Sequence, residues 1–332
     1  MMKQIYYYES LQNIPYDNIA LEEYLLMNVQ PDECILYLWQ NKHTVVIGRN
    51  QNVWKECKTA ELEADRGYLA RRLSGGGAVF HDLGNLNFTF LARKANYNVE
   101  RQLEVILRAV QKLGIKAEKS GRNDITVNGA KFSGNAFYST KDYCYHHGTV
   151  LFNVDKDNLS KYLNVSKAKL QSKGVSSVRS RIANLRDFNP DITLEQLREK
   201  MIEAFGEVYG FAPQKLEESR LDKAAIQALS EKFSSRDWIY GAPIKFSYEV
   251  SKRFDWGEIE LQMEIGSGKV LNAAVYSDSL HPHFISAIPD ALNGTLFSSS
   301  ALANAIDAIS LEDGVPPILV DDIKNLLLEQ SL

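Results

Sequence analysis

A chain of 332 residues with 45% hydrophobic and 24% charged content has the balance of a soluble globular protein, long enough for about two domains. Its net charge of −4 and pI of about 5.9 exclude the basic balance of a non-specific nucleic-acid binder. Cys34, Cys57 and Cys144 are too scattered for a disulfide framework or a CxxC metal site, no apolar run is long enough to span a membrane, and the N-terminus has no signal-like apolar core, so a cytoplasmic protein that binds neither nucleic acid nor membrane is expected.

In chain order, residues 18–29 carry Ile19, Leu21, Tyr24, Leu25 and Met27 at loose helical spacing. Residues 33–40 and 43–49 are β-rich runs split by Asn41-Lys42, which predicts a hairpin, and 54–67 predicts a single helix ended by glycine. Residues 85–92 (NLNFTFLA) alternate as a strand. Residues 99–114 form the clearest helix, with Leu103, Ile106, Leu107, Val110 and Leu113 in one stripe and Gly114 as its cap. Residues 124–138 predict a hairpin around Asn128-Gly129, and 144–154 a strand on which His146 and His147 face opposite ways, one packed and one exposed. Helices follow at 193–209 and 222–233. Strands then occupy 246–278, turning at Gly266-Ser267-Gly268 with Ile259, Leu261, Met263 and Ile265 on one face, and helices run on from Pro282. The fold class is α+β: a large catalytic domain of mixed β-sheets flanked by helices at 1–245, and a smaller C-terminal α+β domain at 246–332.

Two stretches invite chemistry. RRLSGGGAVFHDLGNLNF (71–88) places Arg71, Arg72 and Ser74 before Gly75, Gly76 and Gly77. It is neither a Walker loop nor a GxGxxG, yet successive small residues can aim several backbone N–H groups at one anion, with an arginine fork beside them. A loose surface turn with solvated arginines is the competing reading, disfavoured because apolar, strand-like residues follow at once. SGRNDITVNGAKFSGNAF (120–137) has a lone Lys131 just past a hairpin turn, followed by Ser133, Gly134 and Ala136. An arbitrary lysine of this kind is a solvated one, and Asp124 an ordinary turn or cap residue.

Together with YHHGT (145–149) and KGVSSVRSRIANL (173–185), these stretches resemble the lipoate–protein ligases of the bacterial two-domain type. The resemblance implies that lipoate and ATP form lipoyl-AMP with release of pyrophosphate. The lipoyl group then passes to one lysine of an acceptor, such as the lipoyl domains of 2-oxoacid dehydrogenase complexes or the glycine-cleavage H protein; octanoate is a second candidate acyl group. It assigns the nucleotide to Arg72, Gly75, Gly76, Gly77, Ala78, Val79, Phe80, Lys131 and Arg179. Lipoate goes to Lys131, Arg72, Ser74, His81, Ser133, Gly134, Ala136, His147 and Gly148, with the 49–52 turn and Phe80 as further wall. Lys131 and Asp124 are the catalytic pair, Asp82 stands behind Asp124, Asp124 is also the candidate Mg²⁺ ligand, and residues 171–181 are a candidate lid. Carboxylate meeting triphosphate needs fixed positive charge, which these residues and Mg²⁺ supply. The alternatives are a lipoyl or octanoyl transferase acting through a cysteine thioester, a biotin–protein ligase, and a lipoate-binding protein without catalysis.

Overall fold

A computed structural model describes residues 2–120, 124–164, 182–241, 244–311, 314–330 and 332. It divides into two compact units, Met1–Val46 with Trp54–Ala70 and Val79–Ile239, and Ile47–Val53 with Arg71–Ala78 and Tyr240–Leu332.

In the first unit the elements run β1 (Gln4–Glu9), α1 (Pro15–Asn28), β2 (Glu33–Trp39), β3 (Thr44–Ile47), α2 (Val53–Glu56), α3 (Thr59–Ala64), β4 (Tyr68–Arg71), β5 (Val79–His81), β6 (Asn85–Arg93), α4 (Val99–Lys112), β7 (Ala117–Ser120), β8 (Asp124–Val127), β9 (Ala130–Ser139), β10 (Tyr143–Leu151), α5 (Lys156–Tyr162), α6 (Leu194–Tyr209), β11 (Gln214–Lys215), α7 (Lys223–Ser234) and α8 (Arg236–Tyr240). Eight strands form one sheet in the order β11-β1-β2-β6-β10-β9-β8-β7, and β4-β3-β5 form a small second sheet. The pairings of β1 with β2 and β11 are parallel; from β2 to β7 every pairing is antiparallel.

One face of the large sheet is an apolar core. Leu36, Leu38, Phe88, Phe90 and Val150 pack with Val105, Ile106 and Ala109 of α4 and Leu197, Met201 and Phe205 of α6. Both helices are capped as their sequences ask: Asn98 accepts from Arg101 N, and Thr193 with Gln196 completes a capping box. The β8–β9 turn is Asn128-Gly129, with φ of 51° and 77°; both central residues are left-handed, as a two-residue hairpin turn requires.

Three local expectations differ from the structure. β2 and β3 are not a hairpin, because both edges of β2 are taken by β1 and β6 while β3 joins the small sheet. Residues 54–67 form two short helices, interrupted where Cys57 bridges Leu163. His146 and His147 do face opposite ways, but both are buried, since β10 lies inside the sheet with helices over each face.

The C-terminal part of the second unit is an antiparallel sheet of β12 (Tyr248–Phe254), β13 (Gly257–Gly266) and β14 (Lys269–Ser277), followed by α9 (Pro282–Leu292), α10 (Ser299–Asp307) and α11 (Pro317–Leu328). Ile259, Leu261 and Met263 turn one face of β13 onto Ile285, Ile288, Leu302, Ile306 and Ile323 of the helices. Among the described residues, no helix is long and apolar enough to cross a membrane.

Candidate functional site

Within the second unit, Arg71–Ala78 is an ordered loop built from its own backbone. Gly48 lies against it: a Cβ there would stand 2.1 Å from Gly76 O, so only glycine permits the approach. Arg49 N donates to Ser74 O at 2.9 Å, and Gly76 takes φ of +88°. The two arginines divide the work. Arg71 Nη1 donates to three carbonyls, Gly48 O, Arg49 O and Gln51 O, at 3.1, 2.9 and 2.8 Å. Burial, with the charge of Arg49 added, pushes its guanidinium down to about 10. Arg72 folds onto the loop itself: Nη2 donates to Gly75 O and Gly77 O at 2.7 and 2.8 Å, and Nε to Ser74 Oγ at 3.0 Å. Arg72, Ser74, Gly75, Gly76, Gly77 and Ala78 therefore form one small structure, while Val79, Phe80 and His81 are β5 of the first unit.

In the first unit, strand register assembles a second constellation on the face opposite the apolar core. Two rungs cross β2, β6, β10 and β9: Tyr37–Thr89–His147–Ala136 and Trp39–Asn87–Thr149–Gly134. A buried sheet face this polar is unusual. From α1, Glu22 reaches it: Oε1 accepts from Thr89 Oγ1 at 2.7 Å and lies 2.8 Å from His147 Nδ1. Thr89 Oγ1 in turn accepts from Trp39 Nε1 at 3.0 Å. Among the described residues, buried Glu22 Oε2, Asn85 Oδ1 and Asn87 Nδ2 have no hydrogen-bond partner. Buried polar atoms normally have one, so this face has capacity to bind a polar group.

Lys131 sits at the border of this face. β8 holds its backbone through Thr126, and Lys131 O accepts from Ala183 N at 3.0 Å. A Cβ on Gly134 would stand 4.0 Å from Lys131 Cε and 3.5 Å from Thr149 Oγ1, so the half-buried lysine stem runs beside Thr149 across a gap that glycine keeps open. Gly148 and Ser133 belong to the other face. A Cβ on Gly148 would meet Gly134 O at 2.3 Å and Phe88 Cζ at 2.7 Å, and buried Ser133 pairs with Val150. His146 is there too, packed on Phe88, Phe90 and Phe137 with Nε2 2.9 Å from Asn135 Oδ1; burial pushes it down to about 3, so the ring is neutral.

Asp82 is engaged structurally, accepting from Gly84 N and Asp155 N at 2.8 and 2.9 Å. His81 Nδ1 lies 3.3 Å from Asn41 Nδ2, and Phe80 stacks on Tyr162 at 5.3 Å. Asp124 opens β8, but its side chain, like Arg179 and residues 171–181, lies outside the described residues. No group of three or more His, Cys, Asp or Glu is placed to hold a metal among the described residues. All three cysteines are buried; burial pushes Cys34 and Cys57 up to about 12 and 11 and raises Cys144. A buried thiol with a raised pKa is a poor nucleophile.

Sequence reasoning missed Glu22, Trp39, Asn87 and Thr89. The available signal was in NLNFTFLA, where Asn85, Asn87 and Thr89 alternate with Leu86, Phe88 and Phe90 on a strand buried on both faces.

Residues 14–206 match the family profile of the lipoyl protein ligase A/B catalytic domain, and 243–327 that of the bacterial lipoate protein ligase C-terminus. Lipoate-protein ligase A of Psychrobacter cryohalolentis is 39% identical over 322 residues, 95% of each chain. The structure of P. falciparum LipL1 in complex with lipoate superposes with a TM-score of 0.86 at 30% identity, covering 98% of this chain and 99% of the other. A crystal structure of lipoate-protein ligase A bound with ATP gives 0.61 at 25%, covering 73% and 99%.

Proposed function

The chain belongs to the lipoate–protein ligase family, and from that premise we propose that it joins lipoate to ATP and then to protein. The lipoate carboxylate attacks the α-phosphorus, pyrophosphate leaves and lipoyl-AMP forms. The amine of an acceptor lysine then attacks the lipoyl carbonyl, AMP leaves, a proton is lost and an amide remains. Octanoate would follow the same course. Lipoyl domains and the glycine-cleavage H protein are the proposed acceptors, and the cytoplasm the proposed compartment. Residues 1–245 are the proposed catalytic domain and 246–332 the accessory one.

The observation that carries this reading is Lys131, a cation held at the border of a buried face of polar and aromatic side chains. An acyl chain wants apolar walls with a few polar groups, which Trp39, Tyr37 and Ala136 with Glu22, Asn87 and His147 supply. Its carboxylate wants a cation, and lysine is a compact, mobile point charge that serves first the carboxylate and then the phosphate. The Arg72–Phe80 segment is assigned the nucleotide, with Arg179 and the Asp124 carboxylate in support. Mg²⁺ enters with the triphosphate and neutralises part of its charge. The test is mass spectrometry of an isolated lipoyl domain incubated with enzyme, lipoate and ATP. Addition of one lipoyl group from free lipoate only when ATP is present is expected; addition from a lipoyl or octanoyl thioester without ATP, and none from free lipoate with ATP, would favour the thioester transferase, and no addition from either donor a binding protein.

A further inference from the structure

In the second unit one main-chain amide of the glycine loop is already in use. Gly76 N donates to Ser279 O at 3.2 Å. The fit is close: a Cβ on Gly75 would stand 2.0 Å from Ser279 O and 3.0 Å from Leu280 Cα, and one on Gly76 3.4 Å from Leu280 Cδ2. The Arg72 fork is turned inward onto Gly75 O and Gly77 O. A main-chain carbonyl thus does for the Gly76 amide what a phosphate oxygen would do.

The turn that delivers this carbonyl is held from both sides. Its shape comes from two hydroxyls: Ser277 Oγ donates to Glu258 O at 2.6 Å and accepts from Ser279 N at 3.0 Å, and Ser279 Oγ accepts from His281 N at 3.2 Å. Its position comes from Asn50. Asn50 O accepts from Ser277 N at 2.9 Å, Asn50 Nδ2 donates to Pro282 O at 2.9 Å, and Ser286 Oγ donates to Asn50 Oδ1 at 2.9 Å.

We propose that the turn from Ser277 to His281 is an autoinhibitory latch, which fills the glycine loop with the Ser279 carbonyl and must let go before nucleoside triphosphate can bind there. The proposal rests on the assignment of the nucleotide to this loop. Two ligands that compete for one set of donors are linked, so the apparent Kd for ATP is its intrinsic value divided by the share of molecules with the latch open, and ATP in turn draws molecules out of the latched state.

Hydrogen exchange on the wild-type enzyme reads the second consequence without any substitution. With ATP added and lipoate absent, the amides of Ser279 and His281 should exchange faster, the opposite of the protection a ligand ordinarily confers. Ser277→Ala/Ser279→Ala, which removes the hydroxyls that shape the turn, should bind ATP about fivefold more tightly in calorimetry, the equivalent of about one hydrogen bond. ATP binding that leaves these amides unchanged or slower, or a double variant that folds and binds ATP no better, would remove the latch and leave the nucleotide assignment standing. No ATP binding by the wild type would remove both.

Discussion

The glycine loop and the polar sheet face are made in opposite ways. The loop is a backbone device: its shape depends on Gly48, Gly75 and Gly76 having no Cβ, on Arg72 bracing two of its own carbonyls, and on Arg71 gathering three more. The sheet face is a side-chain device: its members come from four strands and one helix, and only antiparallel register brings Trp39, Asn87, Thr149 and Gly134 into line. A backbone device fails when volume is added anywhere along it. A side-chain device fails locally, in proportion to the contacts each residue makes.

The difference can be broken first at Gly48. Gly48→Val should lower ATP-dependent pyrophosphate release by on the order of 10² while lipoate binding persists, because a side chain 2.1 Å from Gly76 O must displace the loop. Steady-state kinetics with calorimetry of lipoate binding would check this, and equal damage to both would show that loop and face are not separate devices. Glu22→Ala comes next. It strips the acceptor from Thr89 Oγ1 and a partner from His147, so a loss of about 2–3 kcal/mol in stability and roughly a tenfold rise in the KM for lipoate are expected, with the KM for ATP unchanged. Urea melts and separate titrations of the two substrates report each part.

His146 tests the opposite side of the same strand. Its folded pKa, about 3, lies below the unfolded value near 6.5, so the unfolded chain binds the extra proton between them. Its contribution is full above about pH 6.5 and should be lost at up to about 1.4 kcal/mol per pH unit as the pH falls towards 3. His146→Phe should flatten that part of the stability profile; an unchanged slope would assign it elsewhere. The smallest effect belongs to the thiols. Changing Cys34, Cys57 and Cys144 together to Ala or Ser should leave ligation within about twofold wherever the protein remains folded, and loss of transfer with normal adenylate formation would reinstate a thioester route.

How far each device can be read in the sequence follows from how it is made. Three consecutive glycines between arginines and an apolar run announce a backbone device, and Lys131 beyond Asn128-Gly129 is placed by a turn that the sequence declares. The amphipathic helices over the core are equally plain, because period 3.6 is local information. Register is not local. Nothing near Thr89 indicates that His147 will lie opposite it or that Glu22, 67 residues earlier, will bond to it. The false hairpin at Asn41-Lys42 has the same origin: a turn signal cannot show that β1 and β6 claim both edges of β2. Gly148 carries a different lesson. Its small size reads as room for a ligand, whereas in the sheet a Cβ there would run into the Gly134 carbonyl at 2.3 Å and Phe88 at 2.7 Å.

The central claim is that Lys131 serves the reacting carboxylate and phosphate, and Lys131→Met tests it most directly, since it keeps most of the stem and removes the charge. Pyrophosphate release with lipoate and ATP should fall by roughly 10²–10³, the equivalent of about 3–4 kcal/mol of transition-state stabilisation, with the melting temperature nearly unchanged. Formation of lipoyl-AMP by Lys131→Met at a rate close to that of the wild type would contradict the account.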